Sequence, residues 1–162
     1  METAERLISR LVEFARGTPH RTFVVYPLVA LLVKVIGSQG RPRLRWRFAP
    51  LLAWGYLQYR WCGEYRRDQG GGGRGMETLP DNIVTTGPHG YIRNPMYLGH
   101  IIFLLGLGLF ARSKLVLLFG LGVAWWFNRR VEADERRLEE LWGEAYRTYK
   151  AEVPRWLPRL PF

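Results

Sequence analysis

Four runs of apolar residues, separated by shorter polar stretches, are the main pattern along the chain. They are Thr22–Gly37, Phe48–Trp61, Met96–Ala111 and Leu115–Asn128. Each run is somewhat shorter than the ~20 residues that cross a bilayer core. The third and fourth runs are apolar on every helical face, which favours contact with lipid over a solvated side. The pattern predicts an all-α fold, an integral membrane helical bundle of about four transmembrane helices.

Polar segments flank and connect these runs. In Glu2–Arg16, apolar residues recur at helical spacing among charges, which predicts an amphipathic helix on the membrane surface, although an ordinary packing helix fits the same spacing. The glycine-rich stretch Gln69–Gly75 is interpreted as a flexible linker, because no Lys-Ser or Lys-Thr follows it as in a phosphate-binding loop. We therefore expect a single domain over 1–162, with a surface helix at 1–21, four membrane helices across 22–128 that include a cytoplasmic loop at 64–95, and a cytoplasmic helical tail at 129–162.

The charges are distributed unevenly along the chain. All 14 acidic residues lie in Glu2–Glu13, Glu64–Asp81 and Glu132–Glu152. If four helices cross the membrane, 16 of the 24 Lys and Arg residues lie on the side that holds both termini, and six lie on the other side. The positive-inside rule then predicts an inner-membrane protein with both termini in the cytoplasm, with the basic cluster Arg41–Arg47 as an exception. Because topology and anionic lipid account for the net charge of +10, no nucleic-acid partner is expected.

Several residue types that often carry chemistry are not arranged for it here. The single cysteine, Cys62, excludes a disulfide framework and a thiolate zinc cluster. None of the three histidines (His20, His89 and His100) stands at metal-ligand spacing with another ligand, so no metal site is predicted. The glycine pairs at 106/108 and 120/122 lie inside apolar helices, where small residues favour helix packing rather than nucleotide binding.

The loop that leads into the third apolar run is richer in functional groups than a connection requires. Residues 81–99 read DNIVTTGPHGYIRNPMYLG. Asn94 and Pro95 are suited to cap and begin the following helix, and one interpretation makes this segment no more than that. The segment also presents His89, Arg93 and Tyr97, and Arg93 together with the helix amides would suit an anionic group.

The tail after the fourth run carries a cluster of acidic residues on the same predicted side of the membrane. Apolar residues recur at helical spacing from Leu138 to Tyr149, with Gly143 as a tolerated interruption. Such charge is usually a solvated helix face. Together with the loop, however, the tail would supply carboxylates, an arginine and several rings around one cytoplasmic cavity. That combination suits a ligand with a cation, an anion and a flat base.

These two segments resemble the isoprenylcysteine carboxyl methyltransferase and phospholipid methyltransferase superfamily of membrane enzymes. The resemblance covers roughly residues 81–158. The family loop ends Arg-His-Pro-x-Tyr-x-Gly, which residues 93–99 match except for Asn94. After a helical hairpin, the tail matches the family order of an acidic pair, a ring-Gly dipeptide, two spaced tyrosines and Val-Pro. In this sequence these are Asp134-Glu135, Trp142-Gly143, Tyr146, Tyr149 and Val153-Pro154.

The resemblance implies S-adenosyl-L-methionine as the methyl donor, held on the cytoplasmic side by the loop and the tail. By matched position, the implied cofactor contacts are Asp81, Asn82, Ile83, Val84, His89, Asn94, Pro95, Met96, Tyr97 and Asp134. Arg130, one helical turn before Asp134, matches a family arginine that contacts the methyl acceptor. Two positions depart from the usual pattern, Asn94 in place of His and Asp134 in place of Glu, which leaves the branch of the superfamily undecided.

The expected partners are the lipid bilayer and a lipophilic methyl acceptor. A carboxylate or thiolate acceptor needs no general base, whereas an amine must first lose a proton, and His89 is the only nearby candidate base. Isoprenylated cysteine, a phospholipid amine, a small thiol and another lipid all fit this chemistry, and the sequence indicates no oligomeric state. The alternative functions are an NADPH-dependent enzyme like the sterol reductases, which share a similar tail but are generally much larger, and a non-catalytic membrane scaffold.

Overall fold

The structure, a computed structural model, describes residues 17–37, 43–72 and 79–158, and all regular secondary structure in these ranges is helical. This confirms the predicted all-α class for those ranges. The predicted surface helix over Glu2–Arg16 lies outside them. We number the helices in chain order as α1 Thr18–Gly37, α2 Ala49–Gly70, α3 Pro88–Tyr91, α4 Pro95–Phe110 and α5 Lys114–Glu152.

Each apolar run falls almost entirely within one helix, but two of the helices extend well beyond their runs. The second half of α2 is charged, and an Arg60–Glu64 pair at 2.7 Å lies along it. The predicted loop at 64–95 therefore begins as helix, because nothing breaks α2 before Gly70 and Gly71, the latter at φ 72°. By length and composition, α1 is the one described helix suited to crossing a membrane, and α4 is a shorter apolar helix. The four-span bundle stays a prediction.

Helices α2 and α4 cross with their backbones in close contact at two glycines. A Cβ atom added to Gly55 would lie 2.6 Å from the carbonyl oxygen of Gly99, and one added to Gly99 would lie 2.7 Å from that of Gly55. The hairpin from α4 to α5 is equally tight, since a Cβ at Gly108 would lie 2.7 Å from Leu117 Cα. The helix-packing role predicted for the glycines of this hairpin is confirmed at Gly108, whereas a Cβ at Gly122 would meet no atom within 4 Å.

The helices enclose a core that is largely aromatic. His100 is completely buried, with ring centroids of Phe23 at 4.6 Å, Tyr59 at 4.7 Å and Phe127 at 5.5 Å. These rings come from α1, α2 and α5, so the imidazole on α4 lies where all four long helices meet. The core therefore fixes the start of α4, and with it the loop that precedes the helix.

The outer surface of the apolar segments is unusually apolar. On α1, Leu28 is 61% and Ile36 is 70% exposed, and on α5, Leu115 is 76% and Trp125 is 68% exposed. Large apolar patches of this kind are unfavourable in water and typical of surfaces that meet lipid or a partner. They are consistent with a membrane protein.

Helix α5 changes direction at Gly143. The sequence predicts that this glycine is tolerated within a continuous helix, but its φ of 50° and ψ of −123° are not helical. Only glycine adopts this conformation readily. The break bends the last residues of α5, which include Tyr146 and Tyr149, away from a straight helical path.

Candidate functional site

An open cavity lies between the end of α2, the loop before α4 and the charged half of α5. It contains about 720 Å³ of empty space, including the part that is open to solvent. One wall consists of aliphatic and aromatic side chains, among them Ile83, Leu138, Trp142, Tyr146 and Tyr149. Polar and charged groups complete the lining, so the cavity combines an apolar wall with a few convergent polar atoms.

Tyr97 and Asp134 form the best-defined polar contact in the cavity. Tyr97 lies in the first turn of α4, and its hydroxyl donates to Asp134 Oδ2 at 2.6 Å. The same hydroxyl oxygen accepts a hydrogen bond from Arg130 Nε at 3.0 Å, and Arg130 Nε lies 3.8 Å from Asp134 Oδ2. Because Arg130 and Asp134 are one turn apart on α5, the helix itself sets this spacing. The arrangement presents a carboxylate, held by the Tyr97 hydroxyl, to the cavity.

His89 contributes a buried polar atom that faces the cavity. Its side chain belongs to the short helix α3 and is 7% exposed, and the hydroxyl of Tyr149 donates to its backbone carbonyl at 2.7 Å. Burial, together with the positive charge of Arg66, lowers the pKa of the imidazole to about 4, so the ring is neutral at physiological pH. No protein atom in the described ranges forms a hydrogen bond with Nε2. A buried polar atom of this kind is normally satisfied, which points to a ligand group or water.

Arg93 has a different role from the one predicted. Its guanidinium donates to Glu135 Oε1 at 3.0 Å, to the carbonyl of Lys150 at 2.7 Å and to that of Val153, and its side chain is 8% exposed. The sequence suggests that Arg93 holds an anionic ligand, but its donors are used in joining the loop to the tail. The prediction is wrong because a carboxylate 42 residues further along the chain already neutralises this charge.

Glu135 connects the remaining groups of the same buried network. It also accepts a hydrogen bond from Arg155 at 2.8 Å and one from the Asn94 side chain at 3.2 Å. Burial alone would raise the pKa of its carboxyl, but the hydrogen bonds and charges of Arg93 and Arg155 hold the pKa below its usual value. Asn94 forms no side-chain cap on α4, contrary to the prediction, and its side-chain N–H donates to Glu135.

Eight of the ten residues expected to contact a cofactor line this one cavity. They are Ile83, Val84, His89, Asn94, Pro95, Met96, Tyr97 and Asp134. Asp81 and Asn82 are exposed and lie outside the lining, and the Asp81 carboxylate accepts the backbone N–H of Gly72 at 2.9 Å. Arg130 lies behind the lining and reaches the cavity through its contacts with Tyr97 and Asp134.

Arg66 is a cavity residue that the sequence pattern did not predict. This arginine lies on α2 and lines the cavity. Cys62, one turn earlier on the same helix, is buried against Met96 and Tyr97. Since residues four apart share a helical face, the apolar spacing that buries Cys62 could have placed Arg66 beside the loop, had α2 been predicted to continue past Trp61.

Comparison with known proteins identifies the same part of the chain. Residues 73–145 match the family model of the phospholipid methyltransferases. A protein-S-isoprenylcysteine O-methyltransferase of Schizosaccharomyces pombe is 35% identical over 83 residues, which cover 49% of this chain and 34% of that protein. A protein of the same name from Xenopus laevis is 35% identical over 78 residues, covering 47% of this chain and 27% of the relative. The chain thus spans about a third or less of these curated relatives, and the superfamily predicted from the two motifs is confirmed.

Proposed function

The chain belongs to the isoprenylcysteine carboxyl methyltransferase and phospholipid methyltransferase superfamily, and from this we propose that it transfers a methyl group from S-adenosyl-L-methionine to a lipophilic acceptor. We further propose that the reaction takes place at the cytoplasmic face of the inner membrane. The observation that carries the proposal is that the loop motif and the tail motif, which are separated by the α4–α5 hairpin, line one cavity.

The residues of the cavity suit the cofactor's chemical groups. Trp142, Tyr146 and Tyr149 offer flat apolar surfaces for an adenine ring. Asp134 offers a carboxylate for a positively charged group, and His89 Nε2 offers a buried polar atom that has no protein partner in the described ranges. The ten residues expected from the sequence are therefore retained as proposed contacts, with Asp81 and Asn82 acting from the rim.

The side chains around Asp134 would act mainly by binding and orientation. S-Adenosylmethionine, when bound, supplies a methyl group activated by a positively charged sulfur. Methyl transfer of this kind needs in-line alignment and exclusion of water more than it needs proton transfer. The hydrogen bond from Tyr97 to Asp134 fixes the carboxylate, and the apolar wall keeps water away.

The environment of His89 favours an acceptor that is already anionic. An imidazole whose pKa burial lowers to about 4 is a weak base at physiological pH. A carboxylate or thiolate acceptor requires no such base, whereas an amine would. We therefore place carboxylates and thiolates ahead of phospholipid amines as acceptors.

Arg130 occupies the position where such an acceptor would arrive from the membrane. Its guanidinium lies over the ring of Trp126, 5.7 Å from the centroid, and Trp126 is 42% exposed near the end of the last apolar run. An amphipathic acceptor could place its apolar part beside this surface and its anionic part at Arg130. We propose that Arg130 contacts the acceptor.

Binding and turnover together test the proposal. Calorimetry on the purified membrane protein should show micromolar affinity for S-adenosylhomocysteine and none for NADPH. Binding of NADPH alone would instead select a reductase, and binding of neither ligand would select a scaffold. Incubation with labelled donor and native membranes, followed by mass spectrometry, identifies the methylated product.

Two substitutions assign the roles within this reaction. Asp134→Ala should weaken binding of S-adenosylhomocysteine by about tenfold or more, because it removes a charge-assisted contact. Arg130→Ala should leave that affinity nearly unchanged and reduce turnover of the acceptor. If Arg130→Ala lowers cofactor affinity as strongly as Asp134→Ala, the two roles are wrongly assigned. The matched control is Glu144→Ala, because the Glu144 side chain is 83% exposed and pairs with Arg147 on the surface.

A further inference from the structure

The cavity contains one cation that neither motif includes. Arg66 is on the charged half of α2, is half-buried and lines the cavity. Arg66 and the carboxylate of Asp134 line the same cavity, and their opposite charges interact favourably. Burial lowers the pKa of Arg66, which means that a charge here is held partly away from water. Such a position is stabilised when an anion binds beside it.

Two other arginines near the cavity hold different positions. Arg93 is neutralised by Glu135 and donates to two tail carbonyls. Arg130 donates to Tyr97 and lies over Trp126, on the side of the apolar runs. Among the described residues that line the cavity, Arg66 and Arg93 are the two cations. Of these two, Arg93 is the one that pairs with Glu135.

We propose that Arg66 binds the carboxylate of the methionine part of S-adenosylmethionine, while Asp134 faces the ammonium group of the same part. This inference rests on the proposed function and adds a specific residue to it. The amino-acid end of the cofactor carries an anion and a cation on one carbon atom. The lining of the cavity holds the Arg66 guanidinium and the Asp134 carboxylate, which are the complementary pair. Arginine suits this role because its planar donors match the geometry of a carboxylate.

The test compares two ligands that differ only in the group that Arg66 is proposed to bind. S-Adenosylhomocysteine has the carboxylate, and its decarboxylated analogue, S-adenosyl-3-thiopropylamine, lacks it. Calorimetry should show that the wild-type protein binds S-adenosylhomocysteine about tenfold or more tightly than the analogue. Arg66→Met should remove most of this difference by weakening S-adenosylhomocysteine alone, leaving the affinity for the analogue within about twofold of wild type.

A neighbouring arginine provides the matched control. Arg67 pairs with Asp68 on the surface at 2.6 Å and does not line the cavity. Arg67→Met should therefore bind both ligands as the wild type does. Arg66→Lys keeps the charge and should retain part of the preference for the carboxylate, which separates a binding role from a general effect on folding.

Each remaining result has a definite meaning. The inference is overturned if Arg66→Met leaves the affinity for S-adenosylhomocysteine unchanged, or if it weakens both ligands equally. It is also overturned if the wild-type protein binds both ligands with the same affinity. If the wild-type protein binds neither ligand, the proposed function itself fails, and this result is distinct from the three above.

Discussion

Two buried titratable residues of the site, Glu135 and His89, differ in whether they carry a charge. Glu135 keeps its charge because Arg93 and Arg155 surround it. No carboxylate raises the pKa of the buried His89 imidazole, which therefore stays neutral. Burying an unpaired charge is expensive, so a titratable group in this position shifts its pKa instead. The two residues are therefore expected to respond differently to pH and to substitution.

His89 should make the stability of the fold depend on pH. In the unfolded chain its imidazole takes up a proton near pH 6.5, but in the folded protein only near pH 4. The unfolded state thus binds more protons across this window, so stability falls as the pH falls from 6.5 towards 4. Between about pH 7.5 and pH 5 the loss should be roughly 2 kcal/mol from this group.

The measurement is thermal unfolding of the detergent-solubilised protein across that pH range. His89→Gln should show a smaller decrease in Tm on acidification than the wild type, because the titrating group is gone. His20→Gln, at an exposed position, is the control and should keep the wild-type pH dependence. An unchanged pH dependence in His89→Gln would show that the imidazole is accessible to protons in the folded state.

At the scale of elements, a network of polar contacts joins the loop to the tail. Arg93 connects the loop to α5 through Glu135 and to the end of the tail through two carbonyls. The backbone N–H of Arg93 also donates to the carbonyl of Pro154 at 2.9 Å. Because the cavity lies between these two elements, the network positions both of its walls.

Substituting Glu135 should therefore destabilise the protein strongly. Glu135→Gln leaves the guanidinium of Arg93 buried without a counter-charge, and breaking a buried pair in this way typically costs about 3–5 kcal/mol. Thermal unfolding should show a large decrease in Tm, accompanied by weaker binding of S-adenosylhomocysteine. Glu144→Gln removes an exposed pair and should change stability by less than about 0.5 kcal/mol. Equal effects of the two substitutions would show that the network is not structural.

The elements also show what the sequence can and cannot predict. Apolar periodicity predicts the four long helices, because burial or lipid contact depends on local pattern. It does not predict that α2 runs to Gly70, since charged turns such as that of Arg60 and Glu64 suit a helix and a loop equally well. The resemblance brings loop and tail to one cavity, but the use of Arg93 depends on Glu135, which is 42 residues away, and no local pattern contains that pairing.

At the scale of the whole molecule, the α4–α5 hairpin and the polar cavity lie at the two ends of the apolar part of the bundle. The hairpin between α4 and α5 lies at one end, and the half of α5 that lines the cavity lies beyond the apolar run. If the helices cross the membrane, these two parts are on opposite sides. The distribution of Lys and Arg predicts that the cavity is on the cytoplasmic side.

Accessibility of single cysteines tests this orientation. Lys114 lies at the hairpin and Glu144 lies on the half of α5 that lines the cavity, and both are exposed. Cys62 is 1% exposed and should give little background labelling. A membrane-impermeant maleimide added to intact spheroplasts should label Lys114→Cys, and it should label Glu144→Cys only after the membrane is permeabilised. The unmodified protein, tested under both conditions, controls for Cys62. The reverse labelling pattern would place the cavity outside the cytoplasm, and labelling of both positions from one side would contradict the passage of α5 through the bilayer.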